Sequence, residues 1–231
     1  MNILVACEES QAVCIELRKQ GHNAFSCDIV DCSGGHPEWH IKSDVIPLLN
    51  GYCDFETCDG VKRSLPKEWD MIIAFPPCTY LTVTGNRWFN VERYGEKAIE
   101  RIKNREEAIQ FFLTIANAQC NRIAIENPVG VMSTHWRKPN QVIQPWMFGD
   151  LAEKKTCLWL KGLPTLQPTK IVTPPPRQKF ESGKTMPEWY AKLWHLSKED
   201  RAKERSKTFP GVARAMATQW TEPKQNESED N

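Results

Sequence analysis

Two residues in this 231-residue chain combine a reactive side chain with a position that would present it. Cys78 follows the run Met71–Phe75 (MIIAF) and two prolines, and Glu126 closes the run RIAIEN just before Pro128. A short apolar run cut off by a breaker reads as a buried parallel strand. Pro76 and Pro77 lack the N–H that a strand ladder needs, so the strand stops there. Each reactive group is thus held at the carboxyl end of a strand, the edge at which open α/β sheets bind ligands. A cysteine and a glutamate so placed define a chemistry. A thiolate adds to ring carbon-6 of a pyrimidine, and an acid at ring nitrogen-3 stabilises the negative charge that develops. Carbon-5 becomes an enamine nucleophile able to attack an electrophilic methyl group. A base must then take the carbon-5 proton so that the thiol can leave. Arginine or a helix N-terminus close to Cys78 would favour its thiolate.

The elements that must position these groups follow from the pattern of the chain. Ile3–Ala6 is a short apolar strand. Ser10 is placed to cap a helix running to about Gln20, with Val13, Cys14 and Leu17 inward and Gly21 as its stop. Asn23–Cys27 is the second strand, closed by Asp28. Strand, helix and strand with an acid at the end suit a nucleoside-binding doubly wound domain, where the carboxylate accepts both ribose hydroxyls. The loop after the first strand is CEES and not glycine-rich. That disfavours a pyrophosphate cradle and makes a cofactor without phosphates easier to seat. Residues 31–39 are turn-rich, and 50–67 read as irregular and polar. The segment 79–105 carries Gly85, Asn86, Arg87, Trp88, Phe89, Arg93 and Tyr94. It reads either as a loop that covers a substrate and meets phosphates or bases, or as a connector whose aromatics pack inward. From about Glu96, Ile99, Ile102, Ile109, Phe112, Leu113 and Ala116 recur at helical spacing, an expected core stripe. The expected fold class is therefore α/β, with a doubly wound, mostly parallel sheet whose one edge gathers Cys7–Ser10, Asp28, Cys78 and Glu126.

With these residues in place, the sequence resembles the DNA cytosine carbon-5 methyltransferases. FPPCT looks like their Pro-Cys motif and IENP like their Glu-Asn motif, in the same order and at a similar separation. EKKTCLWLKGLP resembles the later basic motif that precedes a strand, and RSKTFPGVARAMATQW the closing helix that returns to the cofactor pocket. Small phage- or prophage-encoded members are the subgroup it most resembles. The resemblance implies a sheet of the S-adenosylmethionine-dependent methyltransferase type and S-adenosylmethionine as cofactor. Cys78 is then the nucleophile, and Glu126 contacts the cytosine ring. Cys7, Glu8, Ser10, Asp28, Asp44 and Pro76 surround the cofactor, Asp28 at the ribose and Asp44 at the adenine amino group. Asn86, Arg87, Asn127, Lys154 and Lys155 contact the substrate, and the partner is DNA with its cytosine flipped from the duplex. The chain departs from the family pattern in three places. Ala6–Ser10 replaces Phe-x-Gly-x-Gly, Thr79 stands where Gln is usual, and only 164–205 separates the basic motif from the closing helix, where the family inserts a recognition domain.

That interval holds Pro174, Pro175 and Pro176, the basic Arg177, Lys179 and Lys184, and Trp189, Tyr190, Trp194 and His195. It is either a small lobe that contacts phosphates and bases or a docked strap whose tryptophans finish the core. The expected organisation is one α/β domain over 1–163 and 206–220, a small insertion over 164–205 and a disordered polar tail over 221–231. A net charge of +1 excludes a global field for nucleic acid or membrane, so any basic surface must be local. No run is long enough to span a bilayer, the start does not resemble a signal peptide, and nine cysteines fit reduced thiols. A cytoplasmic protein without a membrane partner, monomeric or homodimeric, is expected. Cys27, Cys32, His36, His40, Cys53 and Cys58 lack the paired two-residue spacing of a zinc site, and no metal is assigned. His135 and His195 are left without a role. Two other functions fit the same residues: pyrimidine carbon-5 modification of a free nucleotide or single strand, and a degenerate methyltransferase that only binds.

Overall fold

The apolar runs fold as strands because only the middle of a sheet, covered on both faces, lets every residue of such a run escape water. The computed structural model describes residues 1–222. In chain order, β1 (Asn2–Ala6), α1 (Ala12–Lys19), β2 (Asn23–Asp28) and β3 (His40–Lys42) form the first half. A hairpin of β4 (Cys53–Glu56) and β5 (Lys62–Leu65) leads to β6 (Met71–Ala74). Then come α2 (Val91–Tyr94), α3 (Glu96–Ala116), β7 (Ile123–Pro128), α4 (Met132–His135), β8 (Gln141–Ile143) and β9 (Thr156–Lys161). The last part holds a two-residue ribbon, β10 (Gln178–Lys179) and β11 (Thr185–Met186), followed by α5 (Glu188–Ala191), α6 (Lys198–Ser206) and α7 (Pro210–Thr221).

Seven strands make one mixed, mostly parallel sheet in the order β3-β2-β1-β6-β7-β9-β8. The first five are mutually parallel, and β9 runs antiparallel to both its neighbours. Strand order reverses between β1 and β6, and Phe75 N–H donates to the Ala6 carbonyl (2.9 Å) where the two strands end. The alternation of each strand sends Ile3, Val5, Met71, Ile73, Ala124 and Leu158 to one face, against Val13 and Leu17 of α1 and Met216 and Trp220 of α7. Leu4, Ile72, Ile125 and Trp159 go to the other face, against Ile109, Phe112 and Ile115 of α3. Both faces are therefore covered.

Four expectations change. Residues 50–67 are not irregular throughout, because β4 and β5 pair from Cys53↔Leu65 to Glu56↔Lys62 around a turn containing Asp59 and Gly60. Ser10 does not cap α1; Gln11 is the N-cap, in the left-handed region, and the Glu8 carboxylate takes the first free amides. Ile99 (56 % exposed) and Ile102 are not core. The first half of α3 runs along 83–94, beyond the sheet, and only from Ile109 does the helix lie on the strands. The expected tail begins one residue too early, since Thr221 ends α7 with its hydroxyl donating to the Ala217 carbonyl (2.7 Å). The remainder of that tail, 223–231, lies outside the described residues. No helix among the described residues is long and apolar enough to cross a membrane.

Candidate active site

Cys78 sits on a turn that the fold pins from three directions. The buried Asn127 side chain donates from Nδ2 to the Pro76 carbonyl (2.8 Å), tying the end of β7 to the prolines that end β6. The Cys78 carbonyl accepts from the Leu81 and Thr82 amides, both at 3.0 Å. Leu81 in turn accepts from Val131 N–H (2.8 Å), and Thr82 bridges to Gly130. A Cβ at Gly130 would run into the Leu81 carbonyl oxygen, so this close approach requires glycine. Cys78 is exposed, yet protein surrounds its sulfur closely enough to raise its pKa. Burial is the larger cause and the Glu126 charge the next; Lys154 and Arg205 act in the opposite direction.

Glu126 lies at the end of the neighbouring β7, half-buried, where burial pushes its carboxyl up against the Lys154 charge and a hydrogen bond from Thr156. It borders a narrow cavity shared with Lys154, Thr156, Phe209 and Met216. Lys154 Nζ donates to the carbonyls of Arg205 (3.0 Å) and Lys207 (3.4 Å), joining the insertion to the site. The Cys78 thiol thus feels the charges of Glu126, Lys154 and Arg205, and Glu126 and Lys154 share one cavity. Lys155 is exposed, and its charge is felt by Cys157 instead.

The end of β1 forms the other half of this edge. Cys7 adopts a left-handed backbone (φ 58°), and burial pushes its thiol up. Glu8, 4 % exposed, accepts from Val13 N–H (2.7 Å) and Cys14 N–H (3.2 Å), filling the helix N-terminus that would otherwise attract a phosphate. Ser10 is half-buried beside it. Asp28 is half-buried at the end of β2, accepts from Val30 N–H (3.3 Å), and has its carboxyl raised by burial. Asp44 is exposed and accepts from Ile46 N–H (3.0 Å). The expected cofactor residues thus lie at or just beyond the ends of β1, β2, β3 and β6, an acidic edge whose helix N-terminus is already filled by Glu8. A nucleoside without phosphates fits that donor set. No model of a known protein family matches the chain, and no curated protein matches it.

Asn86 and Arg87 lie exposed in a seven-residue 3-10 helix, Val83–Phe89. Arg105 donates to Asn86 Oδ1 (2.8 Å), and the Arg87 guanidinium covers Trp88 (4.6 Å). Both readings of this segment have a share in the structure, since Phe89 packs under Arg105 (3.4 Å) while Trp88 is exposed. The insertion is likewise divided. Leu166 is buried and Trp189 Nε1 donates to the Glu153 carbonyl (2.8 Å), whereas Trp194 is 56 % exposed and stacked with Arg201. Among the described residues no group of three or more His, Cys, Asp or Glu is arranged to hold a metal ion.

Sequence reasoning missed Glu9, Thr156, Lys203 and Arg205. Thr156 carried a signal, as it opens the strand after the basic pair. Arg205 and Lys203 sit in a helix without an apolar stripe, where nothing local distinguishes one cation from the next.

Proposed function

We propose that the protein transfers a methyl group from S-adenosylmethionine to carbon-5 of cytosine in DNA, through a covalent adduct of Cys78. The observation that carries this reading is the pair Cys78 and Glu126 on adjacent strand ends, held together through Asn127 and the Pro76 carbonyl. The sheet, with six strands running one way and β9 alone reversed, fits the methyltransferase type that the sequence resembles. Bound at the switch point between β1 and β6, the cofactor supplies an electrophilic methyl group. In this reading Asp28 accepts the ribose hydroxyls, and Cys7, Glu8, Ser10, Asp44 and Pro76 contact the rest of the cofactor. Cys78 gives its proton to water and adds as the thiolate to ring carbon-6, with Lys154 and Arg205 favouring the thiolate. Glu126, whose carboxyl burial pushes up from its ordinary range, hydrogen-bonds ring nitrogen-3 and stabilises the charge that develops. After methylation at carbon-5 a base takes the proton there, and the carbon–sulfur bond breaks to return the thiolate.

A local basic surface supports a polymeric substrate. The segment 79–105 carries six Lys and Arg against three acids, and 164–207 carries ten against five, although the whole chain is +1. These segments flank Cys78, and the duplex must release its base to reach the thiol. A second reading, a single-stranded substrate, is favoured by the exposed Trp88 and Trp194 with their arginines, which resemble stacking platforms. Cytoplasmic action on intracellular nucleic acid belongs to the same reading.

Nucleoside mass spectrometry tests it, after incubation of the protein with S-adenosylmethionine and unmethylated DNA, duplex or single-stranded. 5-Methylcytosine should form with the wild type and vanish with Cys78→Ala. Bound cofactor without modified base in either DNA would refute DNA as the substrate.

A further inference from the structure

Glu9 has no place in the reading above, yet it is the strangest polar group in the crevice. Its side chain is 13 % exposed, and neither carboxylate oxygen has a hydrogen-bond partner or solvent contact among the described residues. A carboxylate in that state costs free energy unless a cation compensates it. The nearest is Lys203 Nζ of α6 at 3.8 Å, beyond hydrogen-bonding distance. The neighbouring acids are already engaged, Glu8 by the amides of α1 and Asp28 by its own turn. Glu9 alone is uncommitted, one residue past Glu8 at the switch point.

What covers it is weakly held. Helix α6 buries none of its residues and is polar all round. It is held at its C-terminal end by Lys154, which donates to the Arg205 carbonyl, by Arg201 over Trp194 and Arg205 over Tyr190 within the insertion, and toward the sheet edge by the long Lys203–Glu9 pair. Such a helix moves at little cost in buried apolar area.

We propose that Glu9 is the receptor for the cationic amino-acid end of the ligand, and that Lys203 occupies this carboxylate until the ligand's ammonium replaces it. The inference rests on S-adenosylmethionine as the cofactor. An ammonium donates three hydrogen bonds and fits two vacant carboxylate oxygens better than a lysine 3.8 Å away. Asp28 would hold the ribose at the same time, so the two acids fix both ends of one phosphate-free nucleoside. The exchange also couples occupancy to α6, whose Arg205 acts on Cys78.

Calorimetric titration of the full chain tests this with two probes. S-Adenosylhomocysteine carries the amino-acid end, and 5′-methylthioadenosine lacks it. Glu9→Gln should weaken the first about 10- to 100-fold and leave the second within about twofold, as expected for loss of one desolvated charge pair. Lys203→Met should strengthen the first severalfold. Unchanged binding of S-adenosylhomocysteine by Glu9→Gln, with wild type binding both probes, overturns the inference alone. Equal loss of both probes overturns it too, because Glu9 then merely shapes the crevice. Weaker binding by Lys203→Met refutes the exchange. A wild type that binds neither probe refutes the cofactor, and the inference falls with it.

Discussion

Replacing Glu8 by glutamine tests how the chain fills its first helix N-terminus. The carboxyl is 4 % exposed and meets the Val13 amide at 2.7 Å and the Cys14 amide at 3.2 Å. Glutamine keeps the shape but presents an NH2 to one of these donors, leaving a buried N–H without an acceptor. That costs about 1–3 kcal/mol, or a fall in Tm of about 2–12 °C for a chain of this size. The cost depends on pH. Burial pushes Glu8 up to about 8 from an ordinary 4.5, despite the two amides that favour its charge. A carboxyl with a raised native pKa holds its proton more tightly when folded, so its stabilisation is complete below pH 4.5 and lost as pH rises toward 8. The wild type should therefore lose stability over that window relative to Glu8→Gln, by at most about 5 kcal/mol at 1.36 kcal/mol per pKa unit. Urea unfolding of both proteins at several pH values between 4.5 and 9 measures this difference, other groups being common to the two. A wild type that gains on the variant as pH rises would show an ionised cap and refute the reasoning.

Other predictions concern the Cys78 turn. Asn127→Ala frees the Pro76 carbonyl and should lower kcat at least about tenfold with cofactor binding unchanged, read by single-turnover methylation and calorimetry. Gly130→Ala forces the Leu81 carbonyl away and should cost about 1–3 kcal/mol in urea unfolding, with loss of activity. Lys154→Met removes a cation that opposes the raised pKa of Cys78. Alkylation of the thiol should then need higher pH than in the wild type, and an unchanged profile would exclude that role. Trp220→Ala empties a fully buried site of α7 in the core layer shared with α1 and should cost about 3–5 kcal/mol.

The sheet edge is legible in the sequence because covalent neighbours specify it. MIIAF before two prolines and RIAIEN before one state both where a strand ends and which group it presents. Strand β9 is legible for the same reason, as an apolar run after a basic pair. The hairpin Cys53–Leu65 is harder to read because its strands are only half-buried and carry Lys62, Arg63 and Asp54 among the apolar residues. The turn pair Asp59-Gly60 is the signal that marks it. Ile99 and Ile102 mislead in the opposite way, since helical spacing records a face but not how far the sheet beneath it extends. Glu9, Lys203 and Arg205 are invisible to any local pattern. Their meeting depends on a chain that returns across the sheet edge from its far end, which only the tertiary fold reveals.

That return has a consequence for how the molecule is made. The apolar face of β1 and α1, with Ile3, Val5, Val13 and Leu17, is closed by Met216, Ala217 and Trp220 of α7, and Gln20 exchanges hydrogen bonds with Thr218 and Thr221. On a ribosome adding about 5–20 residues per second, this face waits roughly 10–40 s for the helix that covers it. Pairing of β1 with β6 also waits for the intervening hairpin. The first strand–helix–strand unit is consequently not a folding unit by itself, and the final burial of its core is a late event that joins distant parts of the chain.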